Sequence, residues 1–194
     1  MNSQSYFPIL IQKYSNQFLE QKLTYHVSNV ISVFLGVVLI SMLAQLSFQL
    51  PWTPVPITGQ TFGVTLVALL WGWKRGSTVM LSYLVVGSLG APVFAMGKSG
   101  LLFGPTFGYL IGMLLASAVV GKLADLGATK RFWTSLLSAY LGSIVVFGCG
   151  LLVLSRFVPT ETLLVAGLWP FLIGDSIKNL IAALTAWRIR RTIK

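Results

Sequence analysis

Between Lys22 and Lys74 the chain carries no Asp, Glu, Lys or Arg. A charged side chain at bilayer depth costs roughly 2.5–3.5 kcal/mol on insertion scales, and a membrane span needs about 20 predominantly apolar residues. The window therefore has room for two spans. Its divider is the polar, proline-rich stretch 49–60, with Pro51, Pro54 and Pro56. Only 9% of the 194 residues are charged and 55% are hydrophobic, whereas soluble domains are about 25% charged. The chain reads as an integral membrane protein in a lipid bilayer. The first apolar run starts near Val30, after Lys13, Glu20 and Lys22. It is too long for the apolar core of a cleavable signal peptide and reads as a retained helix.

The remaining charges punctuate the sequence at similar intervals. Helices are expected over 30–48, 57–73, 76–91, 105–124 and 132–155, with a last one that begins between 163 and 170 and ends near 187. Pro92 should end or kink the third, and Pro105 suits the first turn of the fourth. The expected fold is all-α, with six transmembrane helices and both termini on one side. A cytoplasmic leader (1–29) precedes a single membrane domain (30–190). With cytoplasmic termini, eleven Lys and Arg residues fall inside, only Lys98 and Arg156 fall outside, and Lys178 lies within the last helix. That asymmetry obeys the positive-inside rule and orients a multi-pass membrane protein with its termini in the cytoplasm. Loop 49–60, loop 92–104 and the segment before the last helix then share the outer side.

Several chemistries are poorly served. The net charge of +10 comes from basic residues spread over short loops, not from the clustered face that binds nucleic acid. One cysteine (Cys149) and one histidine (His26) supply no disulfide and no metal cluster. The chain has no Gly-x-x-x-x-Gly-Lys-Ser/Thr phosphate loop and no Gly-x-Ser-x-Gly elbow. Of the four acidic residues, Asp125 and Glu161 belong to opposite sides, so neither makes a good carboxylate dyad with Asp175. The expectation is a binding protein with no catalytic residues, no cofactor and no metal.

Asp175 and Lys178 are the only charged residues from Thr162 to Trp187. At i,i+3 spacing they share one helix face, which offers an acceptor carboxylate and a donor ammonium together. Two readings stay open: an internal ion pair that staples the helix, or the polar floor of a solute pocket. The irregular outer loops and nearby aromatic residues favour the pocket, since ligand sites are mostly apolar with a few placed polar groups. Small residues recur at four-residue intervals in two helices. Gly108, Gly112 and Ala116 suit close packing inside one bundle, while Ser28, Ser32 and Gly36 suit either that or an external helix.

The segments Thr53-Pro-Val-Pro-Ile-Thr-Gly-Gln-Thr61, Gly90-Ala-Pro-Val-Phe-Ala95, Gly104-Pro-Thr-Phe-Gly-Tyr-Leu110 and Gly174-Asp-Ser-Ile-Lys178, with Tyr83, occur in an order and spacing that resemble one family. It is the BioY family, the biotin-binding S components of energy-coupling-factor (ECF) transporters. The resemblance covers roughly residues 30–190. It implies capture of biotin from outside and release inside, driven by a transmembrane coupling protein and a pair of ATPase subunits. It implies that Asp175 accepts from a ureido N–H and that Lys178 donates to a ligand oxygen, ureido or carboxylate. Gln60, Thr58 and Thr61 would assist, and Tyr83, Phe94 and Tyr109 would shape the apolar body of the site. Family members commonly meet the coupling protein through alanines of the first helix. The corresponding positions here are Ser28, Ser32 and Gly36. Competing readings are an S component for another small vitamin or metabolite, a membrane enzyme using Asp175 as acid or base, and a structural membrane subunit.

Overall fold

The charge-free, mostly apolar run 27–45 forms helix α1, Val27–Gln45, in a computed structural model that describes residues 27–100 and 103–192. The expected leader lies outside the described residues as far as residue 26, and 27–29 are the first turn of α1. The helix ends three residues earlier than its expected limit at 48. The Gly59 N–H donates to the carbonyls of Leu43 (3.1 Å) and Leu46 (3.0 Å), satisfying groups that a helix end leaves bare. Two short strands follow, β1 (Ser47–Phe48) and β2 (Ile57–Thr58), paired antiparallel with Ser47 opposite Thr58 and Phe48 opposite Ile57. Residues 57–58 were expected to begin a helix. The prolines at 51, 54 and 56 have no N–H to give a helix, so the backbone reaches Gly59 extended.

Helix α2, Gln60–Ser88, is interrupted at Gly72, whose φ of 77° and ψ of −176° are non-helical. The interruption is a reversal. Gln60 Nε2 lies 2.5 Å from the Tyr83 hydroxyl across 23 residues, a distance that one straight helix would stretch to about 35 Å. Near the turn, a Cβ on Gly76 would sit 3.2 Å from the Ala68 Cα. The halves, 60–71 and 73–88, therefore run back to back, as the expected second and third helices do. The second half ends before 91 and before Pro92. Gly90, at φ 106°, donates to the Gly87 carbonyl (3.1 Å), and Ala91 donates to that of Val86 (3.3 Å). This is a Schellman closure, and it stops the helix before proline does.

Helix α3 spans Phe107–Asp125, with Pro105 in the turn ahead of it rather than in its first turn. Helix α4 spans Phe132–Leu154. Within the range expected for the start of the last helix lies a short helix, α5 (Leu163–Gly167), and then α6 (Trp169–Thr192), which runs past the expected end near 187. Leu168 (φ −131°, ψ −63°) separates them, and Pro170 follows where the new helix has no earlier carbonyl to satisfy. The two-strand ladder apart, the described fold is helical. Among the described residues, four segments are long and apolar enough to cross a membrane: Val27–Gln45, Phe107–Asp125, Phe132–Leu154 and Thr160–Thr192.

Helix α3 lies between α2 and α4, and α6 packs against α4 and α2. Small residues set these approaches. A Cβ on Gly112 would lie 2.8 Å from the Val146 Cα, and Gly108 backs onto Val153, so the α3 stripe is an internal contact with α4. The core between the helices holds Ile40, Met80, Tyr83, Met113 and Leu154.

The helix ends sort into two poles. At one, the Trp73 N–H donates to Asp125 Oδ2 (3.1 Å), Gly121 packs on the backbone of Trp73, and the Phe132 and Trp187 rings lie 6.1 Å apart. Lys74, Arg75, Lys122, Lys130, Arg131, Arg188, Arg190 and Arg191 are on these same helix ends. At the opposite pole the Thr53 hydroxyl donates to the Ala166 carbonyl (2.5 Å) and the Tyr109 hydroxyl to that of Gly167 (2.7 Å). These bonds satisfy two carbonyls beside the break between α5 and α6, as a membrane requires of interrupted helices.

Candidate functional site

At that second pole, the β1–β2 segment, the start of α2, the 93–98 turn, α3, α4 and α6 line a cleft of about 710 Å³, open solvent at its mouth included. Its wall is apolar over most of its extent, with Val55, Phe94, Tyr109, Phe147 and Phe171 among the lining residues. Asp175, Lys178, Gln60, Thr58, Thr61, Phe94 and Tyr109, all singled out from sequence, line it together. Tyr83 does not. It is fully buried behind the wall, where its hydroxyl accepts from Gln60 Nε2 (2.5 Å) and donates to the Val93 carbonyl (2.9 Å). Its ring meets that of Phe94 edge to face at 5.3 Å.

The two charges of α6 make their bonds to other groups. Lys178 Nζ donates to the Thr58 carbonyl (3.0 Å) and to Thr61 Oγ1 (2.8 Å). It thereby ties α6 to the start of α2 and leaves one of its three N–H bonds without a partner among the described residues. Asp175 is 5% exposed. Its Oδ2 accepts from Ser143 Oγ (2.6 Å) and Asn179 Nδ2 (2.9 Å), and Asn179 Nδ2 also contacts Ser143 Oγ (2.8 Å). Oδ1 accepts no bond among the described residues. It is absent from the fully enclosed, unpartnered side-chain atoms, which among the described residues are Asn29 Oδ1 and Ser77 Oγ. The cavity floor therefore presents an uncommitted carboxylate oxygen and an uncommitted ammonium N–H, one helical turn apart. A buried carboxylate without partners would cost several kcal/mol. Ser143 and Asn179 offset that cost at one oxygen and fix the direction of the other.

Thr58 and Gln60 extend this polar edge. The Thr58 hydroxyl donates to Gln60 Oε1 (3.1 Å) and accepts from the Gln60 backbone N–H (3.3 Å). At the mouth, Lys98 lines the cavity from an exposed position. Sequence reasoning passed over Ser143, Asn179, Lys98, Phe147 and Phe171 as site residues. Asn179 was the most accessible of these, since it lies one turn beyond Asp175 on the same face. Ser143 carries no comparable signal within α4.

The three small residues of α1 do not form one outward stripe. Ser28 is exposed, and Ser32 is partly covered with its hydroxyl donating to the Ser28 carbonyl (2.7 Å). Gly36 is buried, and a Cβ there would lie 2.8 Å from Val79 and 2.9 Å from Trp71 of α2. Gly36 serves internal packing, which leaves Ser28 and Ser32 on the accessible side.

This architecture has close counterparts. A crystal structure described as the S-component for biotin from an ECF-type ABC transporter superposes with a TM-score of 0.79 at 28% identity, covering 87% of this chain and 93% of that one. The biotin transporter BioY of Thermotoga maritima is 37% identical over 146 residues, 74% of this chain and 85% of the relative. The probable biotin transporter BioY of Pyrococcus horikoshii is 37% identical over 161 residues, 81% and 93% of the two chains. The sequence model of the BioY family matches residues 15–194. With that span and these relatives, the multi-pass membrane chain belongs to the BioY family.

Proposed function

We propose that this chain captures biotin from the outer side of the bacterial cytoplasmic membrane and releases it inside, as the S component of an ECF module. The observation that carries this reading is the floor of the cavity, where Asp175 Oδ1 and one Lys178 N–H, one helical turn apart, have no partner among the described residues. A ureido ring presents an N–H donor next to a carbonyl acceptor, the complement of that pair. Asp175 accepts from the ureido N–H and Lys178 donates to the ureido carbonyl. Gln60, Thr58 and Thr61 complete the polar edge. Phe94, Tyr109 and Phe171 cover the apolar ring and chain, and the ligand carboxylate is left at the mouth near Lys98. Burying the polar groups together strengthens each contact, because water no longer competes for them.

The same reading assigns six membrane crossings, with α2 supplying two through its reversal at Gly72. The basic pole, and with it both termini, faces the cytoplasm. A transmembrane coupling protein and ATPase subunits supply the energy for reorientation, Ser28 and Ser32 lying on the accessible side of α1. The chemistry is capture and release of unchanged ligand, without turnover and without a cofactor.

Radiolabelled biotin retention by the protein purified in detergent tests this. Wild type is expected to retain biotin. Lys178→Ala is expected to weaken binding by roughly ten- to a hundredfold, the worth of one hydrogen bond from a charged donor. Equal binding by both would refute the role of Lys178. Retention of a different vitamin in place of biotin would refute the ligand.

A further inference from the structure

The cavity wall formed by the 93–98 turn is held from two sides. On one side α2 seats it. The Phe94 ring lies over Gly87, where a Cβ would overlap it, and the Tyr83 hydroxyl donates to the Val93 carbonyl (2.9 Å). On the other side one residue of α1 does the holding. Gln45 Nε2 donates to the Phe94 carbonyl (3.1 Å) and contacts that of Val93 (3.4 Å), while Gln45 Oε1 accepts from the Gly97 N–H (3.0 Å). The turn between these anchors does not hold its shape cheaply. Met96 has φ 63°, a left-handed conformation that a non-glycine residue adopts only at a cost. Ala95 and Lys98, on either side of Met96 and Gly97, line the cavity, and Gln45 does not.

We propose that Gln45 is a positioning residue for ligand retention: from the end of α1 it clamps the 93–98 turn over the cavity and so sets how slowly a bound ligand leaves. The inference rests on the binding reading given above. A primary amide is suited to this task because it offers donor and acceptor together, and the turn presents carbonyls on one side and an amide N–H on the other. An apolar residue of similar size answers neither. The clamp also makes the wall depend on the position of α1, so a displacement of that helix is felt at the mouth of the site without passing through the floor.

The test is biotin dissociation from detergent-purified Gln45→Leu and wild type, measured by isotope dilution, with hydrogen exchange over 93–98 in the absence of ligand. Dissociation is expected to quicken by roughly tenfold, with the association rate changed less than about threefold, since lost hydrogen bonds in a formed complex act chiefly on release. Exchange at 93–98 should rise while exchange in α3 and α4 stays at its wild-type level. A variant that merely folds poorly would lower the fraction binding, not the dissociation rate of the molecules that do bind. Unchanged dissociation and unchanged exchange would overturn the clamp and leave the biotin reading intact. Failure of wild type to retain biotin would overturn both.

Discussion

The reversal at Gly72 is clasped by Asp125, and a double-mutant cycle tests that clasp. Gly72 has φ 77° and ψ −176°, a region held almost exclusively by glycine and costing other residues about 1–3 kcal/mol. A Cβ there would also fall on the Asp125 carboxylate, whose Oδ2 accepts from the Trp73 N–H at 3.1 Å. Gly72→Ala therefore incurs the backbone cost and displaces a hydrogen bond to a charged acceptor, worth about 1 kcal/mol at this partly exposed position. Together these predict a loss of roughly 2–4 kcal/mol. In an Asp125→Ala background the bond is already gone and the added methyl meets less, so only the backbone part remains. Unfolding free energies from denaturant titration in mixed micelles would show a coupling near 1 kcal/mol. If Gly72→Ala costs the same in both backgrounds, within about 0.5 kcal/mol, the clasp between Asp125 and the turn is wrong.

Asn179→Leu removes donors from Asp175 and Ser143 at a position only 2% exposed. Biotin affinity should fall about tenfold with helix content unchanged by circular dichroism, and unaltered affinity would deny Asn179 any part in aiming Asp175. Tyr109→Phe keeps the ring in the cavity wall but strips the Gly167 carbonyl of its buried partner, so about 1–3 kcal/mol of stability should be lost, measured by the same titration. Gly112→Leu should abolish monodisperse protein on gel filtration, because α3 and α4 meet there. Gly174→Ala, with nothing within 4 Å, should elute as wild type does.

The spans were legible because a membrane makes charge expensive, so charge-free windows mark them with little help from periodicity. Asp175 and Lys178 stood out for the same reason. Ser143 and Asn179 did not, since an isolated uncharged polar residue in an apolar helix has many harmless explanations. Only the tertiary fold brings Ser143 of α4 against Asp175 of α6. The partner of Lys178 was hidden in another way. At i,i+3 spacing Asp175 was the obvious bonding partner, yet the ammonium reaches the Thr58 carbonyl and Thr61, across 120 and 117 residues of sequence. The β1–β2 ladder is too short to leave a period-two pattern. The end of α2 at Ser88, closed by Gly90, was masked by the louder signal of Pro92.

The polar floor stands on continuous helix: Ser143 on α4, and Asp175, Lys178 and Asn179 on α6. The mouth consists of turns hung from side chains such as Thr53 and Gln45. On the binding reading proposed above, affinity for a particular head group is then set chiefly by two helices, and freedom of passage chiefly by the turns. A handful of substitutions along two helix faces could retune the first to another heterocycle, while the doorway and the helix contacts behind it stay as they are. In such a scaffold, divergence of cargo requires no divergence of fold.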